Sequence, residues 1–379
     1  MLPASPVAIV LPPGEGFAPG TAGPAALLVH RLVQAGAEGV VVGAPTSTPP
    51  FPGVRFVPAP PGLGLGRSRR YAAGVARVLR GLRPALIEVH DSPAVALHLR
   101  DQCPGTPVVL WLGRDPYDLP GARTARDRTR LLSRLALVVT ASGWLRRRLL
   151  DGTAAPGRAP DVLHAGVPLP ALPDRAREPA FLFTGSLRPK SGVDAFVTAC
   201  AELLPHLPGW RAVVMEPEAA GPDTPFVRKL RFAASVAGVE LAGQRPRAEI
   251  LAALCRTAVA VVAHRWDDPS GLTALEPMAC GAALVCPPSG ALPDVAGNAA
   301  LYADPDKRGA LGAAMQTLAV DDALRTRLSR AGRDRAEAVS PDHAAAALLG
   351  LREAILSGVG PGGADRLYAD PSSTPCPTP

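Results

Sequence analysis

The stretch that decides the fold is WDDPSGLTALEPMACGAALVCPPSGALPDVAG, residues 266–297. An apolar run at 258–263 comes before it and predicts a buried parallel strand, and a polar loop follows at 264–268. The residues Pro-Ser-Gly at 269–271 then open a segment whose apolar residues recur at helical spacing. The first amides of a helix lack intrahelical partners and the helix dipole adds positive charge there. A strand, a polar loop and a helix start in this order are therefore typical of a phosphate site.

Two kinds of candidate ligand group lie at this helix start. Glu276 is in the second turn and Asp268 lies eight positions earlier, so both carboxylates can border one pocket, and carboxylates suit sugar hydroxyls. For Asp268 alone, the alternative is a structural role as the N-cap of the helix. Gly271 has no side chain to block the approach of a diphosphate to the amides. The candidate donor-binding residues of the helix start are Ser270, Gly271, Leu272 and Thr273.

These residues resemble the signature of retaining GT-B glycosyltransferases of family 4, which has two glutamates separated by seven residues. Here Asp268 stands in the first position and Glu276 in the second. Residues 276–281 resemble the helix end E-A-M-A-x-G of that family, and residues 289–294 resemble its turn G-G-x-P-E. The resemblance implies that Glu276 holds the nucleotide ribose and that Asp268 contacts hydroxyls of the donor sugar at the catalytic centre.

The N-terminal part begins with a short apolar strand at 7–11, a turn rich in glycine and proline at 12–23, and a helix at 24–34. Such a turn lets the backbone approach a ligand closely, although glycine and proline also fill ordinary loops. The resemblance implies that this loop lies under the donor phosphates and lines the acceptor cleft. Gly20 and Gly23 are the donor-binding candidates here.

Strands and helices alternate onward, which predicts a doubly wound parallel sheet. Ligands of such sheets bind at the carboxyl ends of the strands, which places His90, Asp91 and the loop after the strand at 108–112 beside the ligand. The resembled family usually has a histidine where this chain has Gly113. His90 is the candidate catalytic substitute for it, and a structural histidine is the alternative.

The second half begins with a strand at 181–184 and the loop GSLRPKSG at 185–192. This loop resembles the G-R-L-x-x-x-K-G loop of the family, whose arginine and lysine neutralise the donor diphosphate. Serines stand in both of those places, so the neighbouring Arg188 and Lys190, with Gly185, are the donor-binding candidates. Long side chains reach a phosphate from a displaced root because phosphate binding needs charge and donors.

Composition limits the classes of function. The 379 residues exceed what one hydrophobic core usually serves, and a hydrophobic content of 47% allows two cores. Residues 1–175 hold 20 arginines against 11 acidic residues, while the rest holds 20 basic against 22 acidic residues. This excess predicts peripheral contact with an anionic membrane through arginines 67, 69 and 70 and arginines 146–148. The arginines lack interleaved aromatic residues, which argues against nucleic-acid binding.

The cysteines show no metal spacing and no apolar run approaches the length of a membrane span, which predicts a cytoplasmic protein with reduced thiols. Acidic residues without ligand spacing predict no metal cofactor, with phosphate neutralised by basic residues.

The sequence thus predicts an α/β protein of GT-B fold, with two doubly wound Rossmann-like parallel-sheet domains facing across a cleft. The expected parts are an acceptor-side domain at 1–167, a linker at 168–179, a nucleotide-sugar-binding domain at 180–339, a helix at 340–357 that crosses back to the first domain, and a disordered tail at 358–379.

The expected activity is transfer of a hexosyl or related sugar from a nucleotide-diphosphate sugar to a sugar, lipid-linked or protein acceptor with retention, in surface polysaccharide or glycoconjugate synthesis. The alternative is a non-catalytic nucleotide-sugar-binding protein of the same fold.

Overall fold

The structure, a computed structural model, describes residues 6–154, 158–164, 166–174, 176–217 and 222–358. The chain divides into two compact units: unit 1 comprises Met1–Ala165 and Pro341–Pro379, and unit 2 comprises Gly166–Ser340. Unit 1 thus ends two residues before the bound expected at 167, and the residues expected to form a linker, 168–179, fall within unit 2. Apart from Gly358, the predicted tail lies outside the described residues.

Unit 1 is built on a parallel sheet. Its strands are β1 (Val7–Val10), β2 (Val40–Gly43), β3 (Phe56–Pro58), β4 (Leu86–His90), β5 (Val108–Leu112), β6 (Leu137–Thr140) and β7 (Asp161–Val162), in the spatial order β3-β2-β1-β4-β5-β6-β7. Its first helices are α1 (Pro24–Gln34), α2 (Arg67–Leu82), α3 (Pro93–Gln102), α4 (Ala125–Arg134) and α5 (Gly143–Leu150). Strands β4 and β5 are buried at every position, as expected of central strands covered by helices on both faces.

Unit 2 repeats this architecture. Its strands are β8 (Glu178–Thr184), β9 (Arg211–Pro217), β10 (Val239–Arg245), β11 (Thr257–Val261), β12 (Ala283–Cys286) and β13 (Ala300–Tyr302), in the order β10-β9-β8-β11-β12-β13. Its helices are α6 (Val193–Leu203), α7 (Pro225–Val236), α8 (Arg247–Arg256), α9 (Leu272–Ala279), α10 (Leu292–Ala296), α11 (Ala310–Val320) and α12 (Asp322–Ala338). The predicted class of two doubly wound parallel sheets is confirmed.

The strand order determines which loops become neighbours. In unit 1, β1 pairs with β4 in parallel, and in unit 2, β8 pairs with β11 in parallel. The chain leaves these paired strands toward opposite sides of the sheet, so each pair marks the switch point of its sheet, where a crevice opens outside the carboxyl ends. The loops after β8 and β11 therefore lie side by side, as do the loops after β1 and β4.

Helix α13 (Pro341–Leu356) follows unit 2 in sequence but belongs to unit 1, where a buried ion pair anchors it. Arg352 donates from Nε and Nη2 to the two carboxylate oxygens of Glu88 in β4, at 2.7 and 2.8 Å, and from Nη1 to the carbonyl of Glu38 at 2.7 Å. Arg352 is 4% exposed and Glu88 3%. Two charges this deeply buried require each other, because either one alone would lose its hydration without compensation.

We predict that Arg352→Met lowers the free energy of unfolding by about 3–5 kcal/mol, because it leaves the carboxylate of Glu88 buried without its partner. The double variant Glu88→Met/Arg352→Met should be more stable than the single variant, since it removes both charges. Urea unfolding measures both, with Arg134→Met, which breaks the exposed pair with Asp101, as a control expected to cost less than about 1 kcal/mol. A double variant less stable than Arg352→Met would contradict this account.

Candidate functional site

The loop after β8 presents the two predicted phosphate-binding side chains. Gly185 follows the strand, and Pro189–Ser191 form a single helical turn that the Ser191 hydroxyl closes by donating to the carbonyl of Arg188 at 2.7 Å. Arg188 and Lys190 are exposed, and within the described part of the chain their side chains make no hydrogen bond or ion pair. Their charges are thus uncommitted, as the binding of an anion requires.

Arg265, which follows β11, holds this loop in place. Its backbone amide donates to the carbonyl of Lys190 at 2.8 Å, and its guanidinium donates to the carbonyl of Pro189. The same guanidinium pairs with both oxygens of Asp194 at 2.8 and 3.1 Å and with Asp306 at 2.6 Å. These carboxylates raise the pKa of Arg265. Sequence reasoning missed Arg265, because its partners are as many as 76 residues away along the chain.

The loop after β8 also touches the loop after β11 through backbone alone. Gly192 has φ of +74°, and a Cβ there would lie 1.8 Å from the carbonyl oxygen of Ala263. No rotation of a side chain relieves a contact between two backbones, so only glycine fits this position. Gly192, which the sequence predicted as part of a phosphate loop, thus allows the backbones of the two loops to come into contact.

Asp268 is saturated by the start of α9. Its Oδ1 accepts hydrogen bonds from the amides of Ser270 and Gly271, both at 2.9 Å, and from the Ser270 hydroxyl at 3.1 Å. Its Oδ2 accepts from the amide and the hydroxyl of Thr273 at 3.2 and 2.7 Å. Asp268 is only 4% exposed. Asp268 therefore holds the start of the helix from the preceding loop, although the N-cap residue itself is Gly271, and its contact with a donor sugar stays a prediction.

This network gives the first-turn amides side-chain partners from the preceding loop. The amides of Gly271 and Thr273 already donate to Asp268, and that of Leu272 donates weakly to the Ser270 hydroxyl at 3.4 Å. The partners of these amides therefore lie outside the helix, and donation by the amides to a diphosphate stays a prediction. The reason proposed for Gly271 is wrong, because its missing side chain faces Val295, whose Cγ2 would lie 2.5 Å from a Cβ, and not an open approach.

His264 extends the Asp268 network inward. It is 3% exposed, stacks on Trp266 with ring centroids 4.3 Å apart, and places Nε2 at 3.2 Å from the Thr273 hydroxyl. An ionised carboxylate only accepts hydrogen bonds, so the Thr273 hydroxyl donates to Asp268 and accepts from His264. The proton of His264 is thus assigned to Nε2, and burial lowers its pKa, which keeps the ring neutral. Sequence reasoning did not single out this histidine.

The turn at 289–294 fixes the backbone of Asp268. Ala291 donates from its amide to the carbonyl of Asp268 at 2.8 Å, and the amide of Gly290 donates to Oδ1 of Asp267 at 3.0 Å. Gly290 has φ of +59°, and a Cβ there would lie 2.5 Å from the backbone nitrogen of Asp268 and 2.6 Å from its oxygen. The turn that resembles G-G-x-P-E therefore positions the acidic loop by direct backbone packing.

Glu276 has a different partner from those of Asp268. It sits in α9, and its carboxylate pairs with Arg247, the first residue of α8. Both side chains are accessible, at 27% for Glu276 and 61% for Arg247. A pair of this exposure is weak, so a ribose hydroxyl competes for Glu276 at little cost. Arg247 is a further residue that the sequence did not reveal, because the two lie 29 positions apart.

The glycine-rich loop of unit 1 is partly covered. Gly20 is exposed, and a Cβ there would meet no atom within 4 Å. At Gly23, by contrast, a Cβ would lie 2.1 Å from Oε1 of Glu15, which accepts from the amide of Ala26 in the first turn of α1 at 3.2 Å. Burial raises the pKa of Glu15. The predicted approach of a ligand to Gly23 is therefore occupied by this carboxylate, whereas Gly20 stays open.

His90 is a buried member of the sheet. It is the last residue of β4, not part of the loop after it, is 2% exposed, and stacks on Trp111 of β5 with ring centroids 5.5 Å apart. Burial lowers its pKa to about 4, so the ring is neutral at physiological pH. These features favour the structural interpretation of His90, and its catalytic role stays a prediction.

The neighbouring Asp91 has the features expected of a functional carboxylate. It has a left-handed φ of 46°, which is uncommon for a residue with a side chain. Its Oδ1 accepts from the amides of Gly113 and Arg114 at 2.7 and 3.2 Å. A Cβ at Gly113 would touch Oδ2 at 3.5 Å, a contact that the glycine avoids. Burial raises the pKa of Asp91 to about 6, and Glu15 adds to the rise, while the two amides and the charge of Arg114 oppose it.

The described residues show neither a group of metal ligands nor a membrane-spanning helix. Across the ranges that the structure describes, no group of three or more His, Cys, Asp or Glu side chains is arranged to hold a metal ion. Among the helices in those ranges, none is long and apolar enough to cross a membrane.

Residues 170–335 match the family model described as glycosyl transferases group 1. Together with the two parallel-sheet units, this match supports a GT-B glycosyltransferase. The matched segment lies within unit 2 and contains every donor-binding candidate from Gly185 to Glu276. A search of the curated proteins finds no match.

Solved structures share the fold at low identity. Alr3699/HepE of Anabaena, crystallised with UDP, is 15% identical, with a TM-score of 0.72 over 92% of this chain and 100% of that one. A glycosyltransferase of Rickettsia africae is 12% identical, with a TM-score of 0.71 over 93% and 99%. Trehalose-6-phosphate synthase OtsA is 14% identical, with a TM-score of 0.66 over 92% and 99%. At these identities the likeness is one of fold.

We predict that Gly290→Ala lowers the stability of unit 2 by about 3 kcal/mol, because the added methyl group would meet the backbone of Asp268. Gly238→Ala is the matched control, since Gly238 has a similar φ of +66° but open space around it. The control should cost about 1 kcal/mol for the backbone conformation alone. Urea unfolding followed by circular dichroism compares the two variants, and equal losses would show that the contact with Asp268 contributes nothing.

Proposed function

We propose that this protein is a glycosyltransferase that moves a sugar from a nucleotide-diphosphate sugar to an acceptor with retention of configuration, in surface polysaccharide or glycoconjugate synthesis. The observation that carries the proposal is the pair of exposed, uncommitted cations Arg188 and Lys190 on a loop that Arg265 anchors beside the start of α9. The family match over this segment and the HepE complex with UDP-glucose support the same interpretation.

The donor is expected to lie along the carboxyl ends of β8 and β11. Arg188 and Lys190 neutralise the diphosphate, and Glu276 turns from Arg247 to accept from the ribose hydroxyls. The leaving group in the transition state is a diphosphate that gains negative charge, so fixed positive groups at this position stabilise departure. Because these cations supply the charge, the proposal needs no metal ion as cofactor.

Asp268 is proposed to act on the sugar chiefly by position. Its oxygens accept hydrogen bonds from the Ser270 and Thr273 hydroxyls. When a sugar hydroxyl arrives, each of these hydroxyls can accept a hydrogen bond from it, or donate to it instead of to Asp268. His264 keeps the Thr273 hydroxyl oriented toward Asp268. Replacing Asp268 would therefore remove the hydrogen bonds that hold the start of α9. Loss of activity in such a variant would thus not show whether Asp268 contacts the sugar.

Asp91 is proposed to bind the acceptor. One carboxylate oxygen is fixed by two amides, and among the described residues the other accepts no hydrogen bond, so it can accept one from a nucleophilic hydroxyl. It takes the place that the usual histidine leaves at Gly113. Retention does not require Asp91 to remove the proton, whereas an inverting enzyme would use such a carboxylate as its general base.

The second candidate is a non-catalytic nucleotide-sugar-binding protein of the same fold. The self-contained hydrogen bonding of Asp268 and the glycine at 113 favour it, since neither supplies a free group to the transferred sugar. Such a protein would keep the diphosphate and ribose contacts and lack turnover.

The test is a panel of UDP, GDP and ADP sugars, assayed for nucleotide diphosphate release with candidate acceptors. We expect release with at least one donor, and Glu276→Ala should weaken binding of the free nucleotide diphosphate about tenfold to a hundredfold, through lost charged hydrogen bonds to ribose. Glu249→Ala is the matched control, because Glu249 is an exposed glutamate of α8 that pairs with Arg245. Binding without release for any donor would favour the second candidate, and NMR of the product anomer decides between retention and inversion.

We further predict that transfer rises with pH through about 6 and then levels off, because Asp91 must be ionised to accept from the acceptor hydroxyl. Asp91→Asn should lower transfer about a hundredfold and remove this pH dependence, with nucleotide diphosphate binding unchanged. Asparagine tolerates the left-handed backbone and still accepts from both amides. The raised pKa means that ionisation opposes folding, so at pH 7 the variant should be at least as stable as wild type.

Asp118→Asn is the control for this experiment, since Asp118 is an exposed aspartate in the same loop as Arg114. A variant at Asp91 that keeps the wild-type rate and pH profile would remove Asp91 from the acceptor site while leaving donor turnover, and hence the proposed enzyme class, intact.

A further inference from the structure

A pair of leucines in unit 1 is almost fully exposed. Leu63 is 94% and Leu65 87% exposed, in the segment GLGLG at 62–66 that leads into α2. They are the most exposed large apolar side chains of the described residues. Such side chains are normally withdrawn from water, so a pair held outward at one place requires a reason.

The exposure of these leucines is imposed by an anchored backbone. The amide of Gly62 donates to the carbonyl of Arg70 at 2.7 Å, and the amide of Arg70 donates to the carbonyl of Gly66 at 3.2 Å. Gly74 of α2 packs directly on Pro60, since a Cβ at Gly74 would lie 2.1 Å from its carbonyl oxygen. The segment is thus tied to the first two turns of α2, with its leucines pointing away from the apolar core.

The helix next to these leucines carries a row of arginines. Within α2, the spacings of one, seven and three residues between Arg69, Arg70, Arg77 and Arg80 place all four on one face, and all four are exposed. Helix α2 contains no acidic residue, and in the described part of the chain these four side chains make no ion pair. We call Leu63, Leu65 and these four arginines the leucine–arginine surface.

Neighbouring acidic side chains of the described residues are bound to other partners and form no ion pair with this surface. Asp101 and Asp127 line a cavity beside Arg69, but Asp101 pairs with Arg134 at 2.6 Å and Asp127 accepts from the Thr124 hydroxyl at 2.8 Å.

The second arginine group predicted from the sequence, arginines 146–148, differs because its members have partners within the protein. Arg148 pairs with Asp115 at 2.8 Å and stacks on Tyr117 at 3.9 Å, and Arg146 and Arg147 also have partners.

We propose that the leucine–arginine surface docks on an anionic lipid bilayer, with Leu63 and Leu65 entering the interface while the arginines of α2 bind lipid phosphates. Apolar side chains next to unpaired cations match the two layers that a bilayer presents, acyl chain below and anionic headgroup above. A nucleic acid would use the arginines but leave the leucines in water, and the surface has no exposed aromatic residue to stack on bases. Two leucines are too few for the apolar centre of a stable protein interface.

The experiment is co-sedimentation of the full chain with vesicles of equal parts phosphatidylglycerol and phosphatidylcholine, and with vesicles of phosphatidylcholine alone. We expect binding to the anionic vesicles at low salt and a steep loss at about 0.5 M salt, because the charges at the surface are screened. Leu63→Ser/Leu65→Ser should weaken binding about tenfold or more by removing the inserted apolar surface. Arg69→Gln/Arg70→Gln should also weaken it about tenfold or more.

Matched control variants come from unit 2. Val320 is 68% exposed beside Asp321 and Asp322, so Val320→Ser changes an exposed apolar residue on an acidic surface. Arg327 and Arg330 are exposed on α12, so Arg327→Gln/Arg330→Gln removes the same charge elsewhere. Both controls should bind the vesicles as wild type does, and circular dichroism should show every variant folded.

Three results would overturn the proposal: no binding of wild type to anionic vesicles at low salt, binding of Leu63→Ser/Leu65→Ser equal to wild type, or a preference of wild type for duplex DNA over the vesicles. The assay needs neither donor nor acceptor. Its failure would therefore leave the proposed glycosyl transfer standing, and loss of turnover in a donor screen would leave the docking surface standing.

Discussion

The site of unit 2 depends on backbone packing between the loops that follow β8, β11 and β12. Gly192 meets the carbonyl of Ala263, and Gly290 meets the backbone of Asp268, at distances that admit no side chain. These contacts bring the cationic loop, the acidic loop and the start of α9 together before any side-chain interaction is considered. Side chains then complete the arrangement, because Arg265 binds the carbonyls of the loop after β8 and Asp268 gathers the donors of α9. A rigid frame of this kind is what positioning of a diphosphate requires.

In unit 1, a side chain and not backbone packing holds two neighbouring loops together. Next to its switch point the loops after β4 and β5 are joined by a side chain, since Asp91 accepts from the amides of Gly113 and Arg114. The left-handed backbone of Asp91 has a free-energy cost that the surrounding contacts must offset, and such strain is concentrated at functional sites. A side chain at position 113 would contact the second carboxylate oxygen, since a Cβ there would lie 3.5 Å from it. The glycine that replaces the usual histidine thus leaves this contact unmade.

The fold could be predicted because buried parallel strands leave uninterrupted apolar runs in the sequence, and the strand bounds stated from the sequence then differ by at most three residues. The candidate site could be located but not described in detail. The alternation of strands and loops placed Arg188 and Lys190 after one buried strand and Asp268 and Glu276 after another, and the structure has them after β8 and β11. It could not show that Asp268 uses the helix amides, that Arg247 pairs with Glu276, or that Glu15 covers Gly23, because side-chain partners are set by three-dimensional proximity between segments distant in sequence.

Net charge is an equally poor guide to which arginines face a partner. Buried Arg128 donates to the carbonyls of Ala122, Arg123, Leu149 and Asp151, and Arg177 donates to those of Leu254, Cys255, Thr257 and Cys280. A guanidinium suits this task because its planar fork carries five donors, whereas a lysine offers three at one point. In a chain with almost no lysine, arginine thus serves both as an internal tie between loops and as a surface cation. The positive excess of the N-terminal half therefore overstates the charge available to a partner, and only the contacts of each arginine distinguish an internal tie from a free surface cation.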